Sequence, residues 1–346
     1  MGRKRVTIAD LAEESGVSIS TINRILAGTD NVRAATIERV QEAAQRIGYY
    51  GEGVLSARRE SALPKFKFGF LLQQSSRDLY RLFGEKIREA AAARYAEHID
   101  CLIDFVDLLE PANIAQRLRA LGQECDAVAI IAADHPLIGQ TIRELSENGT
   151  SVVTYITDQS APERAGYVGT DNWKLGRTAA FFISQMTSGP GRVALYIGNH
   201  RYQCQDVAEA SFRSYIREHA PHLVVADPEP THEDSTRAYN LVREEFQNHE
   251  DLKGILIVGG GISGVLRAMR EVPKERRSQV RVICRDIGPE TRKGLTEGLV
   301  TAALCHPLEQ TSQMLIQTML DAHQRKGNDS TLQRTVPFEI ITPENI

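Results

Sequence analysis

Residues 6–26 read VTIADLAEESGVSISTINRIL, and this stretch decides how the amino-terminal part of the chain folds. Thr7 stands before Ile8-Ala9-Asp10-Leu11-Ala12 as a helix N-cap with an acid three residues on. Gly16 stops that helix, and Ser18 caps a second one over Ile19 to Ala27, ending at Gly28. A helix-turn-helix needs a small residue where its helices cross, here Ala9, and a turn glycine, here Gly16. It also needs an apolar residue after the turn, Val17, and apolar anchors on the second helix, Ile22 and Ile25. All are present at workable spacing. The opposite face of the second helix then presents Ile19, Ser20, Asn23 and Arg24, with Ser18 and Thr21 near the phosphates. Such a helix fits the major groove, where Arg pairs bidentately with a guanine edge, while hydroxyls and helix N-termini suit phosphates. The alternative is a small helical bundle that binds nothing; a place ahead of a linker favours the DNA reading.

Working outward, a third helix from about Ala34 to Ile47 carries Ile37, Val40, Ala44 and Ile47 at helical spacing and ends at Gly48. Residues 49–67 lack a sustained apolar period and read as a linker. From Phe68 the pattern becomes strand–helix alternation. Strands are predicted at FGFLLQQ, Asp100–Val106, Ala127–Ala132 and Val152–Ile156, with helices at Leu82–Ala96, Asn113–Leu121, Ile138–Asn148 and about Asn172 to Met186. The cycle then restarts, with strands at Val193–Ile197, Val224–Ala226, Ile255–Val258, Val280–Cys284 and Leu299–Leu304. Helices fall at Val207–Glu218, Ser235–Phe246, Ser263–Arg270 and from about Glu309. Two such sets predict an α/β core of two doubly wound parallel-sheet lobes behind an all-α head. The expected domains are a head over 1–50, a hinge over 51–67 and a core over 68–346. Lobe 1 takes about 68–187, lobe 2 about 188–306, and carboxy-terminal segments complete both.

VTIADLAEESGVSISTINRILAG followed by VRAATIERVQEAAQRIGY resembles the DNA-binding head of the lactose-repressor (LacI/GalR) family of bacterial transcription factors. That resemblance implies a periplasmic-binding-protein-like core of type I after a short hinge. It implies a homodimer, or a tetramer built from it, whose heads read the halves of a near-palindromic operator. Carried over by position, Ile19, Ser20 and Arg24 match base-reading residues, and Thr7, Ser18, Thr21, Asn31 and Arg33 match phosphate-contacting or register-setting ones. The hinge departs from the family's pattern, which has a helix ending in an Ala-Arg-Ser-Leu-like run. Here it reads Gly53-Val54-Leu55-Ser56-Ala57-Arg58-Arg59, which leaves three readings: Leu55 as a shifted minor-groove wedge, Arg58 and Arg59 entering without a kink, or a solvated basic linker.

Composition sets the outer limits. The chain has 346 residues, 42% hydrophobic and 25% charged, with a net charge of −4, which suits two or three soluble domains and excludes a basic nucleic-acid coat. Five scattered cysteines without metal-ligand spacing favour a reducing compartment and no structural metal; no cofactor is expected either. No apolar run reaches the roughly 18–20 residues of a membrane span, and no apolar segment follows the basic Arg3-Lys4-Arg5, so the expected location is the cytoplasm.

In parallel α/β sheets ligands sit outside the carboxyl ends of the strands. The residues placed there are Gln73, Gln74, Arg77 and Tyr80; Asp134, Asp158 and Asp171; His200, Arg201 and Gln203; Gly259-Gly260-Gly261; and Asp286, Cys305 and His306. Polar groups with Tyr80, Trp173 and Tyr202 suit a polyhydroxylated small molecule such as a sugar, polyol or derivative. Each acid taken alone serves equally well as a helix cap. The resemblance adds Asp171 with Asn172, in GYVGTDNWKLGR, and Asp286, in VICRDIGP. Two usual ligand groups are missing: the family's arginine falls on Ala208, and its Gly-Asp or Asn-Asp on Gly260-Gly261. Arg201 or Gln203 is the expected replacement.

Gly259-Gly260-Gly261-Ile262-Ser263-Gly264 also fits a dinucleotide-binding turn, with Asp286 as a ribose partner. The alternative function is therefore a dinucleotide-binding sensor or enzyme. Neither a nucleophile–base pair nor a metal triad stands out, so the expectation is no enzyme. The preferred expectation is an allosteric repressor whose operator affinity follows a small molecule held between the lobes.

Overall fold

A computed structural model describes residues 6–27, 32–49, 63–325 and 330–346. They fall in two compact units, Met1–Phe66 with Ala92–Asp100, and Lys67–Ala91 with Cys101–Ile346. The calls on Asn31, Leu55, Arg58 and Arg59 lie outside the described residues.

In the head, α1 (Ile8–Ser15), α2 (Ile19–Ala27) and α3 (Ala34–Ile47) form as their signals dictate. Thr7 and Asp10 close a capping box, the Thr7 N–H donating to Asp10 Oδ2 at 2.7 Å. Gly16 and Gly48 end α1 and α3 at φ 62° and 68°, the left-handed region that glycine enters without steric cost. Leu11, Val17, Ile22, Ile25, Ile37, Val40, Ala43, Ala44 and Tyr49 make the buried core. One expectation fails: Ala9 is exposed, and the small residue packed on this core from α1 is Ala12. The helical period puts position 12 on the same face as Leu11 and Ser15 rather than with Thr7 and Asp10.

The core holds two sheets. Strands β1 (Lys65–Gln73), β2 (His98–Val106), β3 (Ala127–Ile130), β4 (Ser151–Tyr155) and β5 (Gly166–Thr170) belong to the first. Its described order is β12-β5-β4-β3-β1-β2, where β12 is Leu332–Val336 from the carboxy terminus. Helices α4 (Asp78–Ala92), α5 (Pro111–Glu124) and α6 (Pro136–Glu147) connect the strands, and α7 (Asn172–Met186) crosses to the second lobe. The second sheet runs β13-β11-β10-β9-β6-β7. It is built from β6 (Gly191–Ile197), β7 (Leu223–Val225), β9 (Leu252–Ile257), β10 (Arg281–Arg285), β11 (Ala302–Cys305) and β13 (Glu339–Ile341). A short β8 (Glu229–Pro230) also pairs with β6. The β-strand period of two divides this lobe's core. Ile255, Ile257, Val282 and Cys284 pack on one face, and Leu256, Val258 and Ile283 on the other.

The pairs β1–β3, β3–β4, β4–β5, β5–β12, β6–β7, β6–β9, β9–β10 and β10–β11 are parallel, and β13 runs antiparallel to β11. Some boundaries differ from the sequence reading. The helix expected from Leu82 begins at Asp78, because Tyr80 extends the buried stripe of Phe83, Ile87 and Ala90 by one turn. Strand β5 was not expected: GYVGT holds two glycines and no alternation, and only pairing with β4 and β12 fixes it. The strand expected from Leu299 starts at Ala302, after a left-handed Gly298.

Candidate functional site

On α2 the anchors Ile22 and Ile25 are buried, and Ile19, Ser20, Asn23 and Arg24 are exposed on the other side. Ser18 Oγ lies 3.0 Å from Ser20 Oγ and 2.9 Å from Thr21 Oγ1 and accepts from the Thr21 N–H, so it tops the helix. Arg24 reaches back to Thr21 Oγ1 at 3.3 Å. Arg33 is exposed at the N-cap position of α3 and makes no side-chain cap bond. The result is a polar, hydroxyl-rich helix face with one guanidinium, held from behind by apolar packing.

In the core a cavity of about 480 Å³ opens at the carboxyl ends of the strands, where the strand order reverses between β1 and β3 in one lobe and β6 and β9 in the other. Of the proposed effector residues, Gln74, Arg77, Tyr80, Gly260, Asp286 and His306 line it. The others do not. Asp171 caps α7 through the Lys174 N–H at 3.0 Å. Asp134 accepts from the Ser160 N–H and hydroxyl, and its backbone exchanges hydrogen bonds with Arg201. Gln203 donates to Ser160 Oγ at 3.3 Å. Asp158 pairs with Arg164, and Trp173 is exposed on α7. The expected compensation by Arg201 or Gln203 is therefore corrected: Arg77 and Arg285 bring the guanidinium groups to the cavity. Arg285, Glu233, Gln205 and Thr157 were missed. Arg285 sits beside the Asp286 that was chosen, one residue past the strand expected at Val280–Cys284, and is the last residue of the observed strand.

Arg285 is almost fully buried. It donates to Asn172 Oδ1 at 2.8 Å and to Thr170 Oγ1 at 2.9 Å, and lies 2.5 Å from His306 Nε2. A guanidinium has only donors, so Nε2 is the acceptor and the proton sits on Nδ1, 2.6 Å from Asp286 Oδ1. Asp286 also accepts from the His306 backbone N–H at 2.9 Å. Burial alone would push the Asp286 carboxyl up; the pull of His306, its hydrogen bonds and the nearby Arg285 outweigh this and hold it at about 2. Burial, followed by Arg285, lowers the pKa of His306, so the ring is neutral. Asp286 does not cap the next helix, α12 (Pro289–Thr296), whose N-cap Gly288 makes no side-chain bond.

Both folded pKa values lie below their unfolded ones, so both groups contribute stability at neutral pH that acid removes. The His306 contribution is present above its unfolded value of about 6.5 and fades as pH falls through the folded one. That of Asp286 is present above an unfolded value of about 3.9 and is lost towards about 2. Lowering the pH from 8 to 5 should thus depress the thermal unfolding midpoint of the wild type more than that of His306→Gln. Equal slopes in the two proteins would show that the ring is not held neutral.

The glycine turn is explained by packing. A Cβ on Gly259 would strike the backbone of Gly198, and one on Gly260 would strike the Glu233 carboxylate. Asp286, the ribose partner of the dinucleotide reading, accepts both the ring and the backbone N–H of His306 through Oδ1. Among the described residues no group of three His, Cys, Asp or Glu side chains could hold a metal, and no helix is long and apolar enough to cross a membrane.

A helix-turn-helix head and two doubly wound lobes enclosing a polar cavity define a binding-protein core joined to a DNA-binding module. Residues 68–327 match the family of the periplasmic binding protein domain, and residues 7–52 match bacterial regulatory proteins of the lacI family. The chain belongs to the periplasmic binding protein domain family through its core and carries the head of the lacI family. It is 24% identical over 198 residues to the maltose regulon regulatory protein MalI of Escherichia coli K12, covering 50% of this chain and 56% of that protein. To the HTH-type transcriptional regulator GanR of Bacillus subtilis it is 24% identical over 226 residues, 62% of this chain and 61% of the relative. The matched region thus spans little more than half the length of these relatives. The fold is that of GanP, a glucose-galactose binding protein from Geobacillus stearothermophilus, at TM-score 0.73 and 19% identity, over 82% of this chain and 99% of that one. A solute binding protein from Agrobacterium vitis bound with α-D-tagatopyranose gives TM-score 0.72 at 17% identity, over 81% of this chain and 95% of the other.

Proposed function

We propose that the protein is a cytoplasmic, sequence-specific transcriptional repressor without catalytic activity. Its operator affinity follows a carbohydrate-like molecule bound between the core lobes. The observation that carries this reading is the exposed Ile19-Ser20-Asn23-Arg24 face of α2, backed by buried Ile22 and Ile25, in a chain that also holds the two-lobed cavity. The relatives' names, a maltose regulon regulator and HTH-type transcriptional regulators, support it. Thr7, Ser18, Thr21, Asn31 and Arg33 would set the head on the phosphates, with Leu55 or Arg58 at the minor groove. Two copies would read a near-palindromic operator. The ligand would act through its differential affinity for two lobe arrangements.

Arg24→Ala tests the head. It should weaken operator binding by about 1–3 kcal/mol and relax specificity at one position in each half-site. Equal weakening over all operator variants would assign Arg24 to a phosphate. Asp286→Ala tests the core. It removes a carboxylate that lines the cavity and leaves two His306 donors unpaired, each loss costing about 1–3 kcal/mol. Effector affinity should fall on the order of tenfold or more, while operator affinity without effector stays near wild type. Unchanged effector affinity with a lowered unfolding midpoint would make Asp286 a purely structural group.

A further inference from the structure

We propose that the effector carries an oxyanion, a carboxylate or phosphate on a polyhydroxylated chain, and that the Glu233 carboxylate marks the seat this group takes. The inference rests on the effector reading above and adds the ligand's chemical class.

Glu233 belongs to the second lobe, in the loop between β8 and α9 (Ser235–Asn248). Its side chain is 5% exposed, and its Oε2 lies 2.5 Å from Nη1 of Arg77, which belongs to the first lobe. Its Oε1 accepts from Gln205 Nε2 at 3.3 Å. Two glycines floor this seat. A Cβ at Gly198 would collide with Oε1, and one at Gly260 with Oε2. Two donors above a bare backbone floor form a socket for a planar carboxylate, and a phosphate presents the same kind of acceptor oxygens. The Gly260 backbone is thus close enough for an anion, and the chain's own anion fills the place.

The backbone that delivers Glu233 is strained. His232 and Glu233 have φ of 53° and 61°, two successive left-handed residues without glycine. Among the described residues, the other non-glycine residues with positive φ are Gln74, Ile156 and Asp286, and all three line the cavity. Strain gathered around one cavity marks a ligand clamp. Swinging Glu233 out would relieve that turn, offsetting part of the lost ion pair.

The remaining charges separate the cavity's carboxylates from its cations. Asp78 pairs with Arg81, Glu290 with Arg270, Asp286 with His306, and Asp234 caps α9. Each is engaged on its own lobe. Arg77 has a side chain 26% exposed, so a ligand can reach it, and the Tyr80 ring lies 4.8 Å beneath its guanidinium carbon. Arg285 Nε, on the same cavity, has no hydrogen-bond partner among the described residues, and Asp286 Oδ2 lies 4.0 Å from it. A neutral sugar has no charge to set against Arg77, and the Glu233 oxygens are already committed to Arg77 and Gln205.

The test is calorimetric titration of the full chain with a hexose and pentose panel, each sugar as the neutral form, the sugar acid and the phosphate monoester. Wild type, Glu233→Gln, Arg77→Gln and Arg77→Lys are compared, with unfolding midpoints to confirm folding. We expect an acid or phosphate form to bind at least about tenfold more tightly than its neutral parent, and Glu233→Gln to tighten that binding by a similar factor. Arg77→Gln should abolish the preference, and Arg77→Lys should restore part of it. Which form binds tells carboxylate from phosphate. Tight binding of a neutral sugar that Glu233→Gln weakens would overturn the proposal and leave the effector reading standing. Absence of binding by every form, in every folded variant, would overturn both.

Discussion

Arg285→Ala should destabilise the core by about 3–5 kcal/mol, the range for removing one member of a buried charged network. Arg285 has a side chain only 4% exposed, and it ties three acceptors together: Thr170 at the end of β5, Asn172 at the start of the crossover helix, and His306 after β11. Removing it leaves those acceptors facing a void in a low-dielectric site. It also takes away the cation that helps keep His306 neutral and Asp286 ionised. The acid limb of stability should therefore move as well. Without Arg285 the His306 pKa rises, and the loss of stability below about pH 6.5 becomes shallower. Urea unfolding at pH 8 and pH 5 reads both effects. A loss under about 1 kcal/mol would mean that the three acceptors find other donors.

Ile22→Ala should unfold the head and leave the core intact. Ile22 is fully buried among Leu11, Val17, Ile25, Ile37 and Val40, in a core of nine residues. Truncating a buried isoleucine costs about 2–5 kcal/mol, which is comparable to all the stability a module of this size musters. Calorimetry should show the head transition gone and the core transition unmoved. Operator affinity should collapse to the nonspecific level while ligand still stabilises the core. Specific operator binding retained within tenfold of wild type would show that the head is held by more than this cluster.

The head was the most legible part of the chain because its signals are local. Thr7 with Asp10, Gly16, Gly48 and the Ile22/Ile25 spacing each act within one helix or turn, and the structure places them accordingly. Ala9 shows the limit even there, since which small residue faces the partner helix depends on packing. In the core, periodicity located most strands and helices but missed β5, β12 and β13. Those segments are strands only because neighbours distant in sequence pair with them.

The cleft divides in the same way. The sequence by itself determined which residues fall at the carboxyl ends of strands, and six of the ten proposed effector residues reach the cavity. It determined the two-lobed architecture too, because alternating strands and helices admit only sheets covered on both faces. Only the tertiary structure decided the rest. Asp171 and Asp134 are spent on local caps and loop bonds, Asp286 turns Oδ1 to His306 while lining the cavity, and Arg285 is drawn inward to join both lobes. Glu233 comes to face Arg77 across 156 positions of chain. No local rule carries such a pairing. Charge and hydrogen-bond partners are chosen when the lobes are brought together, and burial then sets which of them ionise.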